Sequence, residues 1–251
     1  MHPVLFELGR LTIYSYGLMV AVGFWVGSWI AAREYARRGG RGEDAWRLCL
    51  WMLLGAFVAS HGLAVLTQPG GPTWSSVLSG AGQVWYGALL GGLATAFLVA
   101  RRMGMDRAAF LDSVALGAPV GHALGRVGCH LAGDGDWGTV TDVPWAVAYE
   151  DAYIGWPHPP GVRVHPTSLY EAACYLAIFG LLWGVRRRLE DRPGALLALY
   201  LVLAAPARFA IEIVRVNPEV LWGLTQAQLL SIALFGGAAV WLWRARAAAP
   251  A

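Results

Sequence analysis

Long apolar runs, each closed by arginines or by a stretch rich in glycine and proline, set the pattern of this chain. They cover 11–32, 48–66, 84–100, 108–124, 169–185, 194–213 and 227–243, and each approaches the roughly 20 residues a helix needs to cross a hydrocarbon core. The pattern predicts an all-α polytopic membrane bundle of about seven transmembrane helices. The first run has no basic segment before it and no small-residue cleavage site after it, so it reads as a retained helix rather than a signal peptide. No internal repeat or second domain is visible, and residues 1–251 read as a single integral membrane domain. The longest connection, about 132–168, contains Gly133, Gly135, Pro144, Pro159, Pro160 and Pro166 and has the length of a loop that carries function.

The polar positions between the runs give an orientation. All 19 basic residues are arginines. Arg33, Arg37, Arg38, Arg41 and Arg47 follow the first run, Arg101, Arg102 and Arg107 the third, Arg186, Arg187, Arg188 and Arg192 the fifth, and Arg244 and Arg246 the last. The alternate connections 67–83, 132–168 and 214–226 hold only Arg163 and Arg215. The positive-inside rule therefore predicts a cytoplasmic C-terminus, with the N-terminus and the long loop outside a bacterial inner membrane.

Composition agrees with that class. Hydrophobic residues form 57% of the chain and charged residues 14%, against about 25% charged in a soluble domain. The net charge of +3 suits anionic lipid headgroups, and nothing in it points to nucleic acid. Cys49, Cys129 and Cys174 show no pairing pattern; Cys49 and Cys174 read as small packing residues. Near Cys129 stand His130, Asp134 and Asp136, but without the spacing of a metal site, so neither a metal nor a cofactor is expected.

With this orientation the isolated polar residues fall at one height. Tyr14 and Tyr16 open the first span, Trp85 and Tyr86 the third, and His165 and Tyr170 the fifth, while His122 and Arg126 close the fourth and Arg208 and Glu212 the sixth. An interfacial aromatic belt accounts for Tyr14 and Trp85 without any function. It does not account for Arg126 or Arg208, because an arginine in hydrocarbon demands a partner or a ligand. Glu212 and Arg215 follow Arg208 by four and seven positions, so the three form one polar stripe on a helix face, and an Arg208–Glu212 pair that merely ties helices together is the plain alternative. Two guanidiniums around one phosphate are chemically apt, since the planar fork matches phosphate oxygens and stays charged in low dielectric. His122 lies one turn before Arg126 and reads either as a general base or as a packing histidine. His61 reads as packing.

Four pieces then resemble the prolipoprotein diacylglyceryl transferase family along nearly the whole chain. They are Tyr16-Gly17-Leu18-Met19; Gly125-Arg126-Val127-Gly128 with Trp137-Gly138 and Pro144-Trp145; His165-Pro166-Thr167-Ser168-Leu169-Tyr170-Glu171; and Arg208-Phe209-Ala210-Ile211-Glu212 with Arg215 and Leu224-Thr225-Gln226-Ala227-Gln228. The resemblance implies transfer of a diacylglyceryl group from phosphatidylglycerol to the lipobox cysteine of a prolipoprotein, at the outer face of the inner membrane. It places the family's essential arginines on Arg126 and Arg208, its first-span tyrosine on Tyr16 and its span-six glutamate on Glu212.

The departures are specific. The family pattern has His-Gly-Gly where this chain has Tyr86-Gly87-Ala88, and an Asn-Phe-x-Asn-Gly-Glu run where this chain has Cys129-His130-Leu131-Ala132-Gly133-Asp134. His61 stands where an arginine is typical. With the family histidine absent, His122 is the first candidate base, Asp134 the second and His165 the third, and the remaining substrate-binding candidates are Tyr16, Tyr86, Gly87, His165, Tyr170 and Glu212. A monomer is expected. Two other readings stay open: a paralogue that uses another acceptor, and a non-catalytic membrane protein that binds phospholipid or lipoprotein. A small-anion transporter fits less well, because the polar residues crowd one face and line no path across the bilayer.

Overall fold

The computed structural model describes residues 1–9, 11–68, 71–78 and 85–247. Val84, the predicted start of the third span, and part of the connection before it lie outside the described residues. Among the described residues seven helices have 18 or more residues, as the apolar runs predict. These are α1 (Ser15–Arg37), α2 (Gly42–Thr67), α4 (Trp85–Arg102), α5 (Arg107–Ala132), α6 (Thr167–Val185), α7 (Ala195–Glu212) and α8 (Gln226–Ala247), with a single-turn α3 (Trp74–Leu78) between α2 and α4. Five of them, α1, α2, α6, α7 and α8, are long and apolar enough to cross a membrane. The helices α4 and α5 occupy the positions predicted for the third and fourth spans but fall short of that hydropathy, α4 through Arg101 and Arg102 in its last turn and α5 through Asp112, His122 and Arg126.

The chain divides into two compact units. The first comprises residues 1–30 and 112–251. It opens with a hairpin absent from the sequence prediction: β1 (Val4–Leu8) and β2 (Leu11–Tyr14) pair antiparallel, so the first helix starts at Ser15 rather than at the start of the apolar run. Helix α1 then meets α5 along glycines. A Cβ on Gly23 would stand 2.7 Å from the carbonyl oxygen of Gly121, and one on Gly27 would stand 3.0 Å from that of Gly117. Small residues four apart let the two backbones touch, which is how helices associate where lipid removes the hydrophobic drive. The core of this unit joins Leu116 and Ala123 of α5 to Ala172, Tyr175, Ile178 and Leu182 of α6 and Leu196 and Ala204 of α7.

Asp112 is fully buried in α5, where an unpaired carboxylate would be costly. Its oxygens accept from the backbone N–H of Gly194 at 3.0 Å and of Leu197 at 2.9 Å. A side chain on one helix thus caps the N-terminus of another, satisfying donors that α7 leaves open.

Between α5 and α6 the long loop packs on itself. Trp137, Tyr149 and Val164 form a small core with Trp156 against it. The loop reaches the segment after α7 through a bridge between Gly138 and Arg215, and Thr139 N donates to Val214 O at 2.8 Å. Burial pushes the Tyr149 phenol up to about 12, so it stays neutral while its hydroxyl meets His130 Nδ1 at 3.0 Å. A second hairpin, β3 (Glu219–Leu221) with β4 (Leu224–Thr225), leads into α8.

The second unit comprises residues 31–111. Here α2 and α4 pack closely, and the contact again runs through glycine: a Cβ on Gly87 would stand 2.6 Å from the Ala59 carbonyl oxygen. His61 Nε2 lies 3.0 Å from Val77 O and its ring stacks on Phe57, in keeping with its packing role.

Candidate functional site

The site is built where three helix ends of the first unit meet: the C-terminal end of α5, the N-terminal end of α6 and the C-terminal end of α7. Helix α5 carries His122, Arg126 and Cys129 at intervals of three and four, so all three emerge on one face. Helix α7 presents Arg208 and Glu212 one turn apart. The sequence reading extends that stripe to Arg215, but the helix ends at Glu212 and Arg215 lies beyond it. Its side chain still returns to the cluster, because the bridge to Gly138 holds that segment against the loop.

At the centre is Glu171, fully buried in the first turns of α6. Arg126 Nε pairs with its Oε2, and Arg208 Nε meets its Oε1 at 2.9 Å. The two arginines that the sequence singles out therefore converge on one carboxylate. Arg208 Nη1 also pairs with Glu212, whose other oxygen accepts from Asn217 Nδ2 at 2.7 Å. On the opposite side Asp136 of the loop bridges two guanidiniums, taking Arg126 Nη1 on Oδ2 and Arg215 Nη2 on Oδ1. Thr167 Oγ1 donates to the Asp136 carbonyl at 2.6 Å and ties the loop to the start of α6.

Three guanidiniums thus face three carboxylates in a half-buried ring. Ions out of water need such pairing, since desolvation costs several kcal/mol for each. The ring is formally neutral, and its least buried acid is Asp136, with the side chain 30% exposed against 0% for Glu171 and 1% for Glu212.

The other predicted residues are more scattered. His122 stands beside the ring: its Nε2 lies 3.3 Å from Arg126 Nε and 3.9 Å from Glu171 Oε2, and its ring packs 4.0 Å from that of Tyr175. Tyr16 opens α1 where Gly128 of α5 passes close, a Cβ on Gly128 lying 3.3 Å from the Tyr16 Cα. Asp134 accepts from the Asp136 backbone N–H at 3.3 Å. His165 and Tyr170 form a pair of their own, with Nδ1 and hydroxyl 3.0 Å apart and Trp145 Nε1 donating to the same hydroxyl at 2.6 Å. Tyr86 and Gly87 belong to the second unit, where Gly87 serves the α2–α4 contact.

Ligand atoms of Cys129, Asp134 and Asp136 lie within 4.8 Å of one another, the type of group that can hold a cation. Both oxygens of Asp136 already face guanidiniums, however, so the chemistry of this donor set favours the arginines.

Sequence reasoning passed over Glu171 and Asp136 as site residues. The signal for Glu171 was available: an arginine inside an apolar run requires a counter-ion, and Glu171 is an acid at the head of another such run. Asp136 lies in an irregular loop, where no periodicity assigns it a direction.

Comparison with known proteins identifies the family. A sequence model of the prolipoprotein diacylglyceryl transferase family matches residues 3–244. The chain belongs to that family. Among its relatives, a phosphatidylglycerol–prolipoprotein diacylglyceryl transferase of Gloeobacter violaceus is 30% identical over 96% of this chain and 91% of its own. The enzyme of that name from Solidesulfovibrio magneticus is 33% identical over 98% of this chain and 94% of its own. The one from Chromohalobacter salexigens is 34% identical over 97% and 92%. The match runs through both compact units, and in this chain Arg126, Glu171, Arg208 and Glu212 form one ion-paired cluster.

Proposed function

We propose that this chain is a phosphatidylglycerol–prolipoprotein diacylglyceryl transferase. One observation carries the reading: in a member of this family, Arg126 and Arg208 converge on a single buried carboxylate at the meeting point of three helix ends. Oriented guanidiniums in a dry setting stabilise charge that develops on a departing phosphate, without reorganisation at the moment of reaction. The donor phospholipid enters from the bilayer with its tails among the apolar helices and its phosphodiester at the arginines.

In the reaction the acceptor thiol loses its proton and the thiolate attacks the terminal glyceryl carbon of the diacylglycerol moiety. A C–S bond forms, the C–O bond to phosphate breaks, and glycerol phosphate leaves with the electron pair. A cysteine thiol with a pKa of about 8.5 is only a few per cent ionised near neutrality, so a base helps. His122 is the first candidate. Glu171 Oε2 lies 3.9 Å from the His122 Nε2 and would stabilise the imidazolium formed when Nδ1 takes the proton. Asp134 and then His165 follow it. Tyr16, Tyr86, Gly87, Tyr170 and Glu212 complete the proposed binding set, and no cofactor enters the scheme.

The enzyme is proposed to act as a monomer, as one membrane domain over 1–251, in a bacterial inner membrane with its N-terminus and the 132–168 loop outside. Purified protein given phosphatidylglycerol and a lipobox peptide should yield a thioether-linked diacylglyceryl peptide and one glycerol phosphate per peptide. Glycerol phosphate release without peptide modification would point instead to a different acceptor. For orientation, cysteines placed at 161–163 should react with an impermeant thiol reagent from outside, and one at Gly39 should not; the reverse result would overturn the topology.

A further inference from the structure

Arg215 is the least expected member of the ring. It lies beyond the end of α7 and its side chain is 6% exposed. Its Nη2 meets Asp136, yet its buried Nη1 has no hydrogen-bond partner; the nearest acid, Glu171 Oε1, is 3.7 Å away. An orphaned charged donor at this depth costs on the order of a lost hydrogen bond or more, unless something arrives to meet it.

Arg208 is the more firmly held of the three arginines, its Nε and Nη1 ion-paired with Glu171 and Glu212, both buried on helices. Arg126 and Arg215 differ from it. Each gives a donor to the same carboxylate, Asp136, which is the most exposed acid of the three and is carried by a loop rather than a helix. Around Asp136 the backbone turns through Gly133 and Gly135, both at positive φ.

Charge balance then constrains what happens when a phospholipid arrives. Three carboxylates already balance the three guanidiniums, Asp134 is a further acid within 4.8 Å of Asp136, and a phosphodiester brings one more negative charge. Adding it would leave an unbalanced anion in low dielectric, whereas exchanging it for one carboxylate preserves neutrality. Glu171 and Glu212 are buried on helices, so Asp136, the more exposed and carried on a loop, is the acid that can leave.

We propose that Arg126 and Arg215 form the clamp for the lipid phosphodiester, and that Asp136 is a displaceable counter-ion occupying that clamp until the lipid arrives. The proposal rests on the phospholipid reading above and adds the atoms: the ester's free oxygens take the donors now given to Asp136, with the unmatched Arg215 Nη1 as a further one. Asp136 then sets affinity and headgroup charge preference without touching the reacting carbon. Because the exchange is one charge for one, a zwitterionic lipid with an added cation close to its phosphate is disfavoured beside the arginines.

Isothermal titration of the full-length protein in detergent with glycerophosphoglycerol, the soluble phosphodiester of the headgroup, tests both layers. Wild type should bind it, Asp136→Asn should bind roughly tenfold more tightly because the competitor is gone, and Arg215→Ala should lose binding that Arg215→Lys restores only in part. Equal or weaker affinity in Asp136→Asn, with binding still abolished by Arg126→Ala, would overturn the exchange while sparing the arginine site. Wild-type affinity in Arg126→Ala would overturn the arginine site itself. Inorganic phosphate is the second probe, and binding as tight as that of the diester would assign the clamp to free phosphate instead of a lipid ester. Should Asp136→Asn fail to fold, hydrogen exchange in wild type decides: adding glycerophosphoglycerol should speed exchange of the 133–138 amides as the Asp136 tether is released, and unchanged or slower exchange would count against displacement.

Discussion

The meeting point of α5, α6 and α7 and the pairing of α2 with α4 hold helices together by opposite means. At the first, Arg126, Arg208 and Arg215 interlock with Asp136, Glu171 and Glu212. At the second, Gly55, Gly87 and Gly91 let backbones touch with no charge between them. Charged networks are a poor adhesive, because the desolvation of each ion consumes most of the Coulombic gain. Glycine contacts need no such compensation and associate helices well in lipid. That contrast supports the proposal that chemistry, not stability, sets the residues of the ionic ring.

The sharpest break of that comparison comes from the ring. Arg126→Ala and Arg208→Ala should each abolish lipid transfer in an assay with phosphatidylglycerol and a lipobox peptide, while detergent-extracted protein keeps its helical circular dichroism. Lysine at either position should rescue poorly, since a point charge cannot replace a fork that bonds two partners at once. Near wild-type turnover in Arg126→Ala would remove that residue from the site.

Next in size is the proton acceptor. His122→Gln should lower turnover by roughly 10²–10⁴-fold, the range for loss of a general base, with lipid affinity largely kept. Unchanged turnover would leave His122 as a packing partner of Tyr175 and pass the role to Asp134.

On the glycine side the expected loss is of stability. A valine at Gly91 meets Ala59 and the backbone of Gly55, so Gly91→Val should cost about 1–3 kcal/mol by overpacking, read as a lower melting temperature. The fraction that remains folded should retain its turnover. If activity per folded molecule falls as far as in the arginine variants, the contrast between the two regions is wrong.

The smallest effect is expected at Asp112, a buried acid that is structural rather than chemical. Asp112→Ala removes the acceptor for Gly194 and Leu197 and should cost about 1–2 kcal/mol, the upper part of the range for a lost N-cap. The measurement is again thermal, with kcat per folded molecule unchanged.

How far each feature was legible follows from the range of the interaction behind it. The seven helices were legible because apolar length is a local property, and α5 was still found although Arg126 and His122 interrupt it. The β1–β2 hairpin was not, since an apolar strand entering an apolar helix reads as one continuous run. Arg126 and Arg208 stood out by the cost of charge in hydrocarbon, and the four motif pieces placed them in a family that the comparisons confirm. Their shared partner did not stand out: Glu171 was quoted within a motif but assigned no role, because nothing local says which arginine an acid on another helix will meet. Arg215 was placed on the α7 stripe by extending a helix that stops at Glu212, and it reaches the ring by a loop bridge that no periodicity encodes.

By itself, then, the sequence determined that this is a helical membrane protein of the prolipoprotein diacylglyceryl transferase family with two arginines that require anions, since hydropathy, charge cost and motif identity are all carried by neighbouring residues. Tertiary structure alone decided which anions those are. It set Glu171 between Arg126 and Arg208, brought Asp136 to bridge Arg126 and Arg215, and left Arg215 Nη1 without a hydrogen bond. Ion pairing in low dielectric depends on distances between side chains far apart in the chain, and those distances exist only once the helices have packed.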